Sequence, residues 1–263
     1  MSAKVSVHNA LASKGQKKWI QLHVDSAAEA AAAEAAGIRI LSCEADATLS
    51  AIRAAAPSAL ISAGMPHGTS ATPDEAVRAA FGALRMGADA IYCSHSPRYI
   101  EAMAREGIPV TGHVGLVPNL AAWTGFRAIG RRADEALAVL RKAKDIENAG
   151  AAFLEVEVVP VQLADYITRA TPMVTMGMGC GSVCDTQYLF SCDVLGTNRG
   201  RYPRHSKRYA DFARLEDELQ HQRVTAFQDF VRDVEGLGYP QKSHEIWMDD
   251  AEAEVFAKGA AKL

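Results

Sequence analysis

Residues 19–43 read WIQLHVDSAAEAAAAEAAGIRILSC, and this stretch decides the fold. Residues 19–24 are a short run rich in apolar and β-branched side chains, the signature of a buried strand. Asp25 and Ser26 then place side-chain oxygens where the first turn of a helix needs acceptors, residues 27–36 are almost all alanine, and Gly37 ends the helix. Residues 38–43 return to a strand-like apolar run. The pattern is a strand followed by the helix that covers it, which belongs to parallel sheets with helices packed on their faces.

The same unit repeats outward from this stretch. Residues 59–63 precede a helix over Pro73–Met86, with proline in the first turn where its missing N–H costs nothing. Residues 90–93 precede a helix over residues 97–106, and residues 110–116 precede one over Ala133–Asn148, across a loop holding Pro118, Gly125 and Gly130. Residues 152–159 lead into Val161–Ala170, and residues 173–178 run into the glycine-rich stretch 177–181. Residues 193–195 are the expected eighth strand. A right-handed series of such units either closes into a barrel or opens into a doubly wound sheet, and about eight strands favour closure. The expected fold is therefore a (β/α)8 barrel filling the chain as a single domain, with a polar helical extension from about residue 206.

Composition excludes several classes of function. Of the 263 residues 49% are hydrophobic and 22% charged, which suits a globular protein with a sizeable core. A formal net charge of −3 gives no general attraction to nucleic acid or to an anionic membrane. No apolar run approaches the roughly 20 residues needed to cross a bilayer, and the first residues lack the apolar stretch of a secretory signal. Five cysteines, odd in number and on or beside expected strands, read as reduced thiols of a cytoplasmic protein.

In both parallel architectures the chemistry sits at the carboxyl ends of the strands. Glu155 and Glu157 lie two apart on one strand, so both face either the barrel interior or the helix layer. Near the mouth of the interior a carboxylate loses part of its water, which raises its pKa and suits it to proton transfer; Glu157, nearer the strand end, is the better placed. His113 sits between Gly112 and Gly115, where close approach of a ligand is allowed, and is either a substrate hydrogen-bond donor or a structural histidine. Glu44 and Asp46 are hard oxygen donors at the end of the second strand and suggest magnesium. The glycines of 177–181 resemble a phosphate cradle without the lysine and hydroxyl of a P-loop.

Four segments carry a resemblance to the ketopantoate hydroxymethyltransferase family: GHVGLVP at 112–118, GRRADEA at 130–136, EVVPV at 157–161, and GMGCG at 177–181 with CDTQ at 184–187. The resemblance implies a barrel of the phosphoenolpyruvate mutase and isocitrate lyase superfamily, assembled as a decameric homo-oligomer. It also implies a 2-oxo acid substrate bound through magnesium, a proton-transferring glutamate at Glu157, and methylenetetrahydrofolate as one-carbon donor, with His113 then orienting a substrate oxygen. Against the family pattern, the second metal aspartate falls at Gly64, and the lysine and glutamate of the fourth strand fall at about Tyr92 and Ser94. The rebuilt pocket is thus expected to present Gly64, Tyr92, Ser94 and His95 to the substrate, with Asp46 and Glu44 as metal ligands. Two other outcomes stand beside this one: a superfamily lyase with a different substrate, and a non-catalytic barrel serving as a binding or assembly subunit.

Overall fold

The computed structural model describes residues 3–262, which divide into two compact units, one ending at Ala210 and the other beginning at Asp211. The first unit is a closed barrel of eight parallel strands in chain order. These are β1 Trp19–His23, β2 Ile40–Glu44, β3 Leu60–Gly64, β4 Ala90–Tyr92, β5 Val110–Gly115, β6 Phe153–Glu157, β7 Val174–Met178 and β8 Thr186–Phe190. Around it run α1 Val7–Ala12, α2 Ala27–Ala35, α3 Leu49–Ala55, α4 Pro73–Met86, α5 Pro97–Arg105, α6 Ala121–Thr124, α7 Ala133–Asn148, α8 Val161–Ala170 and α9 Ser191–Leu195. The second unit holds α10 Phe212–Glu235 and α11 Asp250–Ala260, so the helical extension starts a few residues later than expected, after a segment of turns. No described helix is long and apolar enough to cross a membrane.

Local signals placed most of these elements. The Ser26 hydroxyl accepts from the Glu29 N–H at 3.2 Å and starts α2. Thr72 and Glu75 form a reciprocal capping box on α4 ahead of Pro73. The eighth strand is the one misplaced element. It is Thr186–Phe190, and the expected strand at 193–195 is instead part of α9, closed by Gly196 in the left-handed region. The run Thr-Gln-Tyr-Leu-Phe has the β-branched and aromatic content a strand wants, whereas three residues ahead of a helix-ending glycine do not.

Alternation along the strands sorts the side chains into two sets. One set meets the helices: Leu22, Leu41, Ile61, Ile91, Val114, Leu154 and Val156 join the large cluster with Ala30, Ala80, Ile100, Met103 and Ile146. The other set fills the barrel in tiers. Trp19, Ile40, Leu60, Ala90, Phe153, Val174 and Met176 form a separate apolar cluster. Above it the interior turns polar: Gln21, Ser42, Ser62, Thr111 and Thr186 are all buried. Ser42 donates to the Tyr188 hydroxyl at 3.0 Å, and the Ser62 and Thr111 hydroxyls meet at 3.2 Å. Gln21 and Thr186 have no side-chain partner among the described residues.

Candidate active site

A cavity of about 230 Å³ opens at the carboxyl ends of the strands, where Glu44, Gly64, Tyr92, Ser94, His113, Glu155 and Glu157 all line it. The strand register brings the central group together. In the β5–β6 ladder His113 pairs with Glu155 and Gly115 with Glu157, so the imidazole lies between two carboxylates on the next strand. His113 Nε2 is 3.2 Å from Glu157 Oε2, and Nδ1 is 3.9 Å from Glu155 Oε2. All three side chains are buried and line the cavity, so of the two orientations that the strand pattern left open both glutamates take the one facing the interior.

The hydrogen bonding sets the tautomer that His113 favours. Tyr92 Oη lies 2.7 Å from His113 Nδ1. Burial pushes the Tyr92 hydroxyl well above its ordinary value, so it keeps its proton and donates. The imidazole proton then sits on Nε2. That nitrogen faces Glu157 but off the axis of a good hydrogen bond, and it has no hydrogen-bond partner among the described residues. A buried donor left unpaired in this way is costly unless a ligand oxygen completes it.

Glu155 lies deeper. Burial, and secondarily the charge on Glu157, push its carboxyl up to about 8, so at neutral pH it holds a proton. Glu157 stands nearer the strand end, with His113 beside it. The close packing that permits this is set by Gly115, whose φ is +93° and where a Cβ would run into the Glu157 carbonyl oxygen.

The other expected site residues divide. Ser94 lines the cavity and accepts from the Asn119 amide. Glu44 stands at the rim, its carboxyl raised by burial and by the charges of Asp46 and Asp25. Asp46 does not line the cavity. It is exposed, and its Oδ1 accepts from the Thr48 N–H at 2.8 Å and hydroxyl at 2.6 Å, which hold the carboxyl below its usual range. Its Oδ1 is engaged at the start of α3. His95 also lies off the cavity, with its ring 5.1 Å from His67 and 4.8 Å from Tyr99 and its Nδ1 3.8 Å from Cys93 Sγ. Alternation explains it: if Tyr92 and Ser94 point inward, Cys93 and His95 point away.

Sequence reasoning missed His23, Asn119, Met178, Tyr188 and Phe190, which also line the cavity. His23 was within reach of the signal that Trp19 and Gln21 carry on the same face of β1. Tyr188 and Phe190 were hidden by the misplaced eighth strand. Side chains pack against the glycines of 177–181: the space at Gly179 is filled by His205, whose Nδ1 would be 2.8 Å from a Cβ there, and that at Gly181 by Val161.

A closed parallel barrel with a buried acid–histidine group at the carboxyl rim of its strands defines a (β/α)8 enzyme. Comparison with known proteins narrows this. The chain matches the ketopantoate hydroxymethyltransferase family over residues 7–242, and it belongs to that family. It is 35% identical over 198 residues to the 3-methyl-2-oxobutanoate hydroxymethyltransferase of Chloroflexus aurantiacus, covering 74% of this chain and 68% of the relative. The enzyme of the same name from Pyrobaculum arsenaticum is 34% identical over 199 residues, 74% of this chain and 72% of that one. Solved structures with the same fold include 2,3-dimethylmalate lyase, a member of the PEP mutase/isocitrate lyase superfamily, at a TM-score of 0.52 and 15% identity over 97% of this chain and 100% of that one. A phosphonomutase-like protein from Burkholderia cenocepacia superposes at 0.57 with 14% identity, over 84% and 97% of the two chains.

Proposed function

We propose that this chain forms or cleaves a carbon–carbon bond next to the carbonyl of a 2-oxo acid, by hydroxymethyl transfer or an aldol-type reaction through an enolate. Glu157, as general base, removes the proton from the carbon beside the carbonyl; the enolate carbon then bonds to the one-carbon unit, and the proton passes to the oxygen of the new hydroxymethyl group. The His113 Nε2–H points into the same space and donates to the carbonyl oxygen as negative charge gathers there. Tyr92 fixes the imidazole through Nδ1, and protonated Glu155 spares the group a second negative charge. Ser94 and the open space at Gly64 bound the substrate. The observation that carries this reading is the buried, unpaired His113 Nε2 held 3.2 Å from Glu157 Oε2.

Magnesium, which the family resemblance implies, does not fit the donors in place. Gly64 offers no side chain, Asp46 is engaged with Thr48, and Glu44 alone remains at that rim. Among the described residues no group of three or more His, Cys, Asp or Glu side chains is arranged to hold a metal ion. The steps above therefore run through the chain's own groups.

The test is deuterium exchange at C3 of 3-methyl-2-oxobutanoate in D2O, followed by NMR, with formaldehyde or methylenetetrahydrofolate then added as one-carbon donor. Exchange that depends on the protein supports the proposal, and a hydroxymethylated product assigns the transfer. The open space at Gly64, with Tyr92 and Ser94 lining the cavity where the family pattern has a lysine and a glutamate, favours a second reading, in which the preferred oxo acid is not 3-methyl-2-oxobutanoate. A panel of oxo acids and oxo-acid esters distinguishes the two. No exchange with any member sinks both and leaves a non-catalytic barrel.

A further inference from the structure

Glu157 lines a second cavity as well as the first. This one is larger, about 850 Å³, and is bounded by Arg127, Arg131, Arg201, Arg204 and His205 together with Glu157. Its charge is the reverse of the first. Arg127 is neutralised by Glu135 at 2.6 Å, but Arg131, Arg201 and Arg204 have no ion pair among the described residues. Three uncompensated guanidinium groups facing one carboxylate leave a net positive field in a concave space, which concentrates anions.

The two arms of this cavity are held in place by glycines. His205 packs onto Gly179 at the end of β7, fixing the segment that carries Arg201 and Arg204. Gly130, with φ of +85°, lets Leu163 of α8 pack tightly beside the segment that carries Arg127 and Arg131. The arginines therefore project from anchored loops toward a shared hollow.

No lysine or arginine lines the first cavity, so a second anionic group, remote from the reacting carbon of a reactant, has no cationic partner there. We propose that the second cavity is the anion subsite of the reaction: it seats a carboxylate or phosphoryl group of a reactant whose uncharged reactive carbon reaches Glu157 from that side. Guanidinium groups recognise both anions through paired N–H donors, so the chemistry is shared and the source is decided by experiment. This assignment rests on the reading of Glu157 as the proton-transferring acid, but its binding test does not.

The experiment is isothermal titration of the full-length protein with citrate and, separately, inorganic pyrophosphate at low salt. The expected result is saturable binding of at least one, weakened about tenfold or more in the double variant Arg131→Ala/Arg204→Ala and partly restored by Arg131→Lys/Arg204→Lys. Binding should also weaken as salt rises from about 20 to about 200 mM. Tighter citrate assigns a carboxylate arm, and tighter pyrophosphate a phosphoryl arm. Far-ultraviolet circular dichroism confirms that the variants are folded. Absence of binding by both anions, or affinities that the arginine variants leave unchanged, overturns the proposal. Either result is obtained without turnover, so it is separable from a failure of the oxo-acid chemistry.

Discussion

His113 Nε2 and Glu157 Oε2, 3.2 Å apart on adjacent strands, are the closest approach of a nitrogen donor to a carboxylate in the cavity, and neither group is used up by the fold. The first expectation follows from this pair. Glu157→Gln keeps the shape and removes the base, so protein-dependent C3 exchange should fall about a hundredfold or more. The melting temperature should barely move. An equal loss in exchange and in stability would place Glu157 in a structural role instead.

Glu155 makes stability depend on pH. Its carboxyl is held up to about 8 in the folded chain against an ordinary value of 4.5. Between those limits the folded state binds a proton that the unfolded state has released, so stability falls as pH rises, by up to about 1.4 kcal/mol per unit. Below the lower limit the contribution is fully present; above the upper one it is gone. Urea midpoints from pH 5 to 8 should therefore decline in the native chain, and Glu155→Gln should remove much of the slope. An unchanged slope would mean that Glu155 is ionised inside the barrel.

Gly64 offers a gain-of-function test of the missing metal site. Its φ lies outside the left-handed region, and a Cβ there would sit 3.5 Å from Glu44 Oε2, an ordinary contact. Gly64→Asp should thus be tolerated and should place a second carboxylate beside Glu44. We expect manganese or magnesium affinity, measured by titration calorimetry, to rise on the order of tenfold over the native chain. Equal affinity in the two would show that residue 64 does not govern metal binding.

Gly115 ties the backbone to the chemistry. A Cβ at this position meets the Glu157 carbonyl, in a conformation that side chains disfavour. Gly115→Ala should cost about 1–3 kcal/mol from strain alone, read as a shift in the denaturant midpoint. Exchange activity should fall with it, because the strand that presents Glu157 must move. Retained activity in a destabilised variant would separate the two effects.

The barrel was legible because each strand–helix unit carries its own punctuation, such as Ser26 and Gly37 around α2 or Pro73 ahead of α4. Glu157 and His113 were legible as candidates because they stand near strand ends. What the chain could not show was direction. A two-residue period says that Glu155 and Glu157 share a face without saying which one, and the register between β4 and β5, which sets Tyr92 opposite Thr111 with its hydroxyl within reach of His113, is a property of closure. Asp46 and His95 looked equally suitable by type. The one is taken by the Thr48 N–H and hydroxyl, and the other by the turn of alternation after β4.

The apolar tier from Trp19 to Val174 plugs the barrel beneath the polar residues. Its consequence is directional traffic. A proton taken up by Glu157 has no exit through the base of the cylinder and must return to the product or leave by one of the two cavities that Glu157 lines, so the lifetime of that proton is governed by how long those cavities stay occupied.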